Sequence, residues 1–222
     1  MAIFLKTTIS KPLEREYEAW ITQGIEDYFE HAGITKYAIW AVSPRDEAHW
    51  PADETLAIGC KLVGLQFKQA KLANGKPDFN RLKWTLHQPP GQFTLVKNSP
   101  EIFYCLPTFI NRKFRKRALE HCLFWRPNDN VNYNIWYDNS IAKTPYNKVC
   151  DSMRWGRFIE DVLSCRKGIK ITSAKQANEY IRNFSDKARK AYINRKKLND
   201  NMDESFEHDV TYFIAVQYND ND

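Results

Sequence analysis

Hydrophobic residues recur along the first part of this chain with the period of a helix. Between Leu13 and Tyr28, apolar side chains return every three or four positions, which predicts a helix with one buried face. Ser10 is the expected N-cap, Pro12 suits the first turn, and Gly33 is expected to end the helix. The first predicted element is therefore an amphipathic helix.

The rest of the chain alternates between short apolar segments and longer amphipathic ones. Segments rich in β-branched and aromatic residues predict strands over residues 36–42, 56–67, 82–86, 101–107, 170–172 and 210–218. Amphipathic segments predict helices over residues 91–97, 111–121, 151–166 and 173–198. We therefore expect an α/β fold in which helices flank a mixed central sheet. Because the strand over 210–218 needs an existing sheet to join, we expect a single domain.

Residues 1–222 fit one large domain that has three parts. The core is expected over about residues 10–127, and additional helices with the closing strand over about residues 150–218. The segment between them, about residues 128–147, is rich in asparagine and predicts turns. We favour a small satellite cluster of the core for its aromatic residues, and base stacking is the alternative.

The composition favours a polyanionic partner in a reducing compartment. The net charge is +6 and the pI is near 9.0, and a basic surface attracts nucleic acid. The five cysteines are scattered without a Cys-x-x-Cys pair, which predicts free thiols and a cytoplasmic location. No apolar run reaches the roughly 18 residues that span a bilayer, so no membrane partner is expected.

The segment with the most chemical information runs from Trp50 to Lys68. Asp53 precedes an apolar run, and the triplet Gln66-Phe67-Lys68 ends it. Because a strand has a side-chain period of two, Gln66 and Lys68 are expected to project from the same face. A lysine is seldom buried without an acidic partner, and Asp53 is the expected partner.

These residues resemble the active-site motif of the PD-(D/E)XK nuclease superfamily, in the variant that carries Gln in place of the second acid. The resemblance implies a restriction-endonuclease-like core in which Asp53 and Gln66 hold Mg²⁺ or Mn²⁺. It implies that Lys68 orients the attacking water or stabilises charge on the phosphate. Family members often add a Glu from the first helix, for which Glu14 is the first choice and Glu18 the second.

The implied function is a metal-dependent nuclease that hydrolyses phosphodiester bonds in nucleic acid, as a restriction or defence effector. Because a neutral Gln contributes less charge than Glu, the alternative is a non-catalytic nucleic-acid-binding or interaction subunit with a degenerate nuclease-like fold. Some family members place a Gln on the helix after the lysine, near the metal or the phosphate. Gln88 or Gln92 is the corresponding residue here.

Two groups of cations are expected to carry any nucleic-acid contact, with DNA favoured over RNA. The first group is Arg112, Lys113, Arg115, Lys116 and Arg117. The second group recurs every seven residues along the last predicted helix and consists of Arg182, Arg189 and Lys196. Such cations bind phosphate by displacing condensed counterions. The alternatives are a solvated charge run and a docking surface for an acidic protein partner.

Overall fold

The structure is a computed structural model that describes residues 11–43, 59–72, 82–86, 92–127, 143–145, 149, 151–196 and 210–217. The α-helices in these residues are α1 (Glu14–His31), α2 (Gln92–Lys97), α3 (Trp155–Leu163) and α4 (Ala174–Lys196). A 3-10 helix spans Arg112–Arg117. None of these described helices is long and apolar enough to cross a membrane.

The strands of the described residues form a large mixed sheet and a small antiparallel one. In chain order they are β1 (Tyr37–Val42), β2 (Cys60–Phe67), β3 (Lys71–Leu72), β4 (Leu82–Thr85), β5 (Ile102–Pro107), β6 (Cys122–Trp125), β7 (Lys143–Pro145), β8 (Ile169–Ile171) and β9 (Thr211–Gln217). The large sheet has the order β1–β9–β2–β5–β6, and β8 pairs with the first half of β2. The small sheet has the order β3–β4–β7.

The strand β9, the last element along the chain that the structure describes, lies inside the large sheet. It pairs antiparallel with β1 on one side and with β2 on the other. The strands β1 and β2 therefore run parallel to each other, as do β2 and β5. This arrangement confirms the predicted mixed sheet and the predicted closing strand. A restriction-endonuclease-like core stays a prediction.

Helices cover both faces of the large sheet. Phe103 of β5 packs edge-to-face on Phe158 of α3, with ring centroids 5.0 Å apart. Phe213 of β9 packs in the same way on Phe184 of α4, at 5.3 Å. Strand alternation and the pairing registers place α1 on the face that holds α3, and α2 on the face that holds α4. Both faces of β2 are therefore buried along its whole length.

Helix α1 begins later than the sequence pattern predicts. Its N-cap is Leu13, and the carboxylate of Glu16 accepts a hydrogen bond from the Leu13 backbone N–H at 2.8 Å. In a capping box, the side chain at the third helical position accepts a hydrogen bond from the N-cap backbone, as Glu16 does here. The prediction that the helix starts directly after Ser10 is therefore wrong. Ser10 itself lies outside the described residues. Gly33 follows the end of α1 with a φ of 70°, as predicted.

Two other predicted helices are shorter than expected because neighbouring residues pair as strands. The segment over 111–121 is helical only in the 3-10 helix, and β6 follows it to pair with β5. Helix α3 begins at Trp155 and not at Asp151, because Met153 forms a bridge with Phe124 of β6. The sequence pattern does not predict β3, β6 or β7, since so few residues cannot show a period.

Replacing Gly64 of β2 by alanine is expected to destabilise the protein by about 1–3 kcal/mol, because the core there has no room for a methyl group. The new Cβ would lie 2.3 Å from Cδ1 of Ile102 and 3.3 Å from the ring of Phe213. Urea denaturation of the two proteins measures the difference in the free energy of unfolding.

Gly156 of α3 provides the matched control, since a Cβ added there meets nothing within 4 Å. Gly156→Ala is expected to leave stability unchanged or to raise it by about 0.5–1 kcal/mol, because alanine favours a helix. A Gly64→Ala protein as stable as the original would show that Ile102 can move aside.

Candidate functional site

Lys68 lies directly after the central strand β2, where it is buried with 3% of its surface exposed. Its backbone N–H donates to the carbonyl oxygen of Cys105 at 3.2 Å, which extends the parallel pairing of β2 with β5. Its ammonium nitrogen lies 3.8 Å from Oε1 of Glu14 on α1. A buried ammonium requires such a partner because desolvation of the charge is costly. The end of β2 and the start of α1 therefore meet at an ion pair.

Glu14 also fixes the chain segment that follows Lys68. Its Oε2 accepts a hydrogen bond from the backbone N–H of Gln69 at 2.9 Å. The side chain of Gln69 donates in turn to the carbonyl oxygen of Pro12 at 2.7 Å. The side chain of Glu14 keeps 36% of its surface exposed, so it can still contact a ligand from solvent. The carboxylate of Glu14 thus contacts both Lys68 and Gln69.

Glu18 lies one helical turn after Glu14, with 7% of its surface exposed. Burial, with the nearby charge of Glu14, raises the pKa of Glu18 to about 7. The hydroxyl of Tyr212 lies 3.3 Å from Oε2 of Glu18, and Lys68 and Arg15 favour its charged form. Burial raises the pKa of Tyr212 to about 12, so its hydroxyl stays protonated. Glu18 is therefore a carboxyl group that exchanges its proton near neutral pH.

Gln66 is buried at the same end of β2, with both ends of its amide hydrogen-bonded. Its oxygen Oε1 accepts from the hydroxyl of Thr211 at 2.7 Å, and its Nε2 donates to the carbonyl oxygen of Val210 at 3.2 Å. By strand register Gln66 shares the α2–α4 face with Thr211, whereas Tyr212 reaches Glu18 on the α1–α3 face. Lys68 follows the last residue of β2, and its ammonium reaches Glu14 of α1, whereas the amide of Gln66 lies on the face that α2 and α4 cover.

The remaining predicted members of the site have different positions. Asp53 and Gln88 lie outside the described residues. Gln92 is buried at the start of α2, in the helical layer on the same face as Gln66. Among the described residues, no group of three His, Cys, Asp or Glu side chains is arranged to hold a metal ion. The structure thus brings Lys68 together with Glu14 and Glu18, and leaves the predicted anchor Asp53 untested.

The sequence pattern did not identify Tyr212, Thr211 and Gln69 as neighbours of this cluster. Tyr212 and Thr211 belong to β9, and they reach the site only because β9 pairs with β2 in this register. Gln69 directly follows Lys68, so its place in the sequence was the only available signal. Gln69 ties the segment after Lys68 to α1 through its hydrogen bonds to Glu14 and Pro12.

Two of the five cations on the 3-10 helix are neutralised within the protein. Arg112 forms a two-pronged ion pair with Glu16 of α1, with Nε and Oε1 2.7 Å apart. Arg117 pairs with Glu120, with Nε and Oε2 2.8 Å apart. These pairs hold the pKa of Glu16 and of Glu120 below the usual range. The sequence pattern predicts that all five cations of the 3-10 helix contact a polyanion. Only the other three remain candidates for that contact.

Those three cations, Lys113, Arg115 and Lys116, are exposed. None of them forms an ion pair with another residue in the described ranges. The second predicted group lies on α4, where Arg182 is exposed and Arg189 is half-buried. The side chain of Lys196 lies outside the description. Because α1 and α4 cover opposite faces of the sheet, a ligand that contacts both groups has to pass around its edge.

No family model, no curated protein and no solved structure matches this chain. The fold and the site together define a mixed α/β protein with a buried lysine–carboxylate cluster at one end of its central strand. Its function is therefore inferred from the residues of that cluster, foremost Lys68 and its acidic neighbours Glu14 and Glu18.

Proposed function

We propose that this protein is a metal-dependent nuclease of the PD-(D/E)XK type, which hydrolyses phosphodiester bonds in nucleic acid, DNA rather than RNA. The observation that carries this proposal is the position of Lys68. Its ammonium is buried at the end of the central strand, 3.8 Å from a carboxylate of the first helix. A lysine after a Gln-x spacer and a Glu from the first helix are two features that the superfamily motif implies.

The metal in this proposal is Mg²⁺ or Mn²⁺, which prefer hard oxygen ligands. Asp53, Gln66 and Glu14 would hold it. Glu14 fits that role because its side chain is partly exposed, whereas Gln66 lies on the α2–α4 face and its amide oxygen already accepts a hydrogen bond from Thr211. Glu18 is the weaker choice, since a proton competes with the metal for a carboxyl group with a pKa of about 7. The bound metal would make the attacking water easier to deprotonate.

Lys68 would stabilise the negative charge that develops on the phosphate. An ammonium in a water-poor site interacts more strongly with such a charge than an ammonium in water does. Glu14 and the backbone bond to Cys105 hold Lys68 in place, so little reorganisation is needed during the reaction. Glu18 lies beside this lysine and can accept a proton near neutral pH.

The second candidate function is a non-catalytic nucleic-acid-binding or interaction subunit. The observation that favours it concerns Gln66, which stands where the commoner nuclease motif has an acid. Its amide already forms hydrogen bonds with Thr211 and Val210 within the protein. In either case we place the protein in a reducing compartment such as the cytoplasm. The cysteines that the structure describes as free thiols, Cys60, Cys105, Cys122 and Cys165, support that placement. The nuclease proposal includes a role in restriction or defence.

Incubation of the pure protein with nucleic acids and Mg²⁺ or Mn²⁺ distinguishes the two functions. Under the nuclease proposal, DNA is cleaved with either metal and stays intact with EDTA, and Asp53→Ala removes cleavage while binding persists. Binding at low salt without cleavage under any metal would instead support the non-catalytic subunit. Electrophoresis of labelled single-stranded and duplex DNA and of RNA, with anisotropy for binding, gives both measurements.

A further inference from the structure

A groove of about 670 Å³ lies between α1 and the 3-10 helix, and Trp155 of α3 closes one side of it. Three aromatic residues line it. Tyr28 packs edge-to-face on Trp155, with ring centroids 5.5 Å apart, and Trp20 packs on the buried Phe109 at 6.5 Å. Rings held in this way offer a preformed apolar surface. Tyr28 keeps 36% of its surface exposed, so part of that surface is open to solvent.

The two walls of the groove carry opposite charges. On the 3-10 helix, Arg115 and Lys116 are exposed and form no ion pair among the described residues. On α1, Asp27 lines the groove, and its Oδ1 accepts a hydrogen bond from Gln23 at 2.9 Å. No described residue donates a hydrogen bond to the other carboxylate oxygen of Asp27. At the rim, Arg117 and Glu120 neutralise each other. A fitting ligand therefore has a flat π face, an anionic group and a hydrogen-bond donor.

From this geometry we propose that the groove binds an unpaired nucleotide of a single-stranded nucleic acid. The base stacks on Tyr28 and its aromatic neighbours, the phosphate faces Arg115 and Lys116, and an amino group of the base donates to Asp27. Bases in a duplex are stacked and paired, so their faces cannot enter. An acidic peptide suits the cations but brings a like charge towards Asp27.

This inference rests on the proposed function in one respect, which is that the bound nucleic-acid strand is the substrate of the nuclease. The groove and the Lys68 cluster are separate surfaces of α1. Tyr28 lies ten residues after Glu18, which is about 15 Å along the helix axis at 1.5 Å per residue, while Trp20 and Asp27 lie on the flank of the helix. Variants of the groove therefore leave the surroundings of Lys68 unchanged.

Fluorescence anisotropy with labelled 12-mers in EDTA tests the proposal, because it measures binding without cleavage. Tyr28→Ala is expected to weaken binding of a single strand at least fivefold, which corresponds to the loss of one stacked base, and to change duplex binding less than twofold. Tyr28→Phe keeps the ring and is expected to bind as tightly as the unmodified protein. Lys116→Gln, an exposed change that does not endanger the fold, is expected to weaken binding and to flatten its salt dependence.

Phe114 gives a matched control, since it is an aromatic residue of the 3-10 helix with 37% of its surface exposed, outside the groove lining. Phe114→Ala is expected to leave single-strand binding unchanged. The proposal is overturned if Tyr28→Ala and Lys116→Gln both bind normally, if Phe114→Ala weakens binding equally, or if an acidic peptide displaces the strand. Absence of cleavage by the unmodified protein with Mg²⁺ would instead overturn the nuclease proposal and leave the groove standing.

Discussion

Replacing Lys68 by alanine is expected to slow metal-dependent cleavage of DNA at least 100-fold. Removal of one preorganised group that stabilises transition-state charge typically costs about 10²–10³ in rate. Lys68 is held by Glu14 and by the backbone of Cys105, so it is preorganised in that sense. Single-turnover cleavage at saturating Mg²⁺ measures the rate of the chemical step without the contribution of product release. Binding of the same DNA in EDTA is expected to change little.

Lys61 allows a matched control for this experiment. It lies on β2, the strand that Lys68 directly follows, and is buried to a similar degree, with 5% of its surface exposed against 3% for Lys68. Seven residues of strand separate the two lysines, which is roughly 23 Å at 3.3 Å per residue. Lys61→Ala is expected to cleave at the original rate, provided that thermal denaturation shows a folded protein. Equal losses of cleavage in both folded variants would remove Lys68 from the catalytic site.

Replacing Glu18 by glutamine is expected to stabilise the protein at pH 8 by about 3 kcal/mol at most. The pKa of Glu18 rises from its ordinary 4.5 to about 7 in the folded state. That difference of about 2.5 pH units, at roughly 1.36 kcal/mol each, sets the upper limit. The folded state binds the proton more tightly than the unfolded chain does, so the stabilisation is complete below pH 4.5 and is lost as pH rises to 7. Glutamine resembles the protonated form at every pH.

Urea denaturation of both proteins between pH 4.5 and pH 8 measures this effect. The difference in unfolding free energy is expected to be near zero at the acid end and to grow up to about pH 7. Glu16 offers a control of opposite sign, because Arg112 lowers its pKa. Glu16→Gln is expected to reduce stability throughout this pH range, because the contribution of an acid with a lowered pKa is lost only below the ordinary value of 4.5. A constant difference between the original protein and Glu18→Gln would show that Glu18 ionises normally.

The two predictions report on one cluster through different properties. Lys68→Ala tests whether the ammonium acts on a substrate, and Glu18→Gln tests whether burial controls the proton on its neighbour. A protein that shows the pH effect but no cleavage would still contain the described cluster. It would then fit the non-catalytic alternative, in which the buried pair of Lys68 and Glu14 joins the end of β2 to α1.

The sequence by itself determined the elements whose periodicity is long and regular. The apolar stripe of α1, the apolar run of β2 and the strand β9 were all predicted near their observed positions. These predictions concern the elements alone, and the role of Glu14, which the resemblance implied and which lies 3.8 Å from the ammonium of Lys68, stays a prediction. Such predictions succeed because amphipathic periodicity states which side chains face the core.

Only the tertiary structure decided which residues meet across long sequence distances. The insertion of β9 between β1 and β2 brings Tyr212 to Glu18 and Thr211 to Gln66. Strand order and register depend on pairing between distant segments, which a local pattern does not record. The fold also determines which cations of the 3-10 helix remain open to a ligand. Arg112 is not one of them, because a carboxylate on another helix neutralises it. A run of charges in sequence becomes a binding surface only where folding leaves those charges without internal partners.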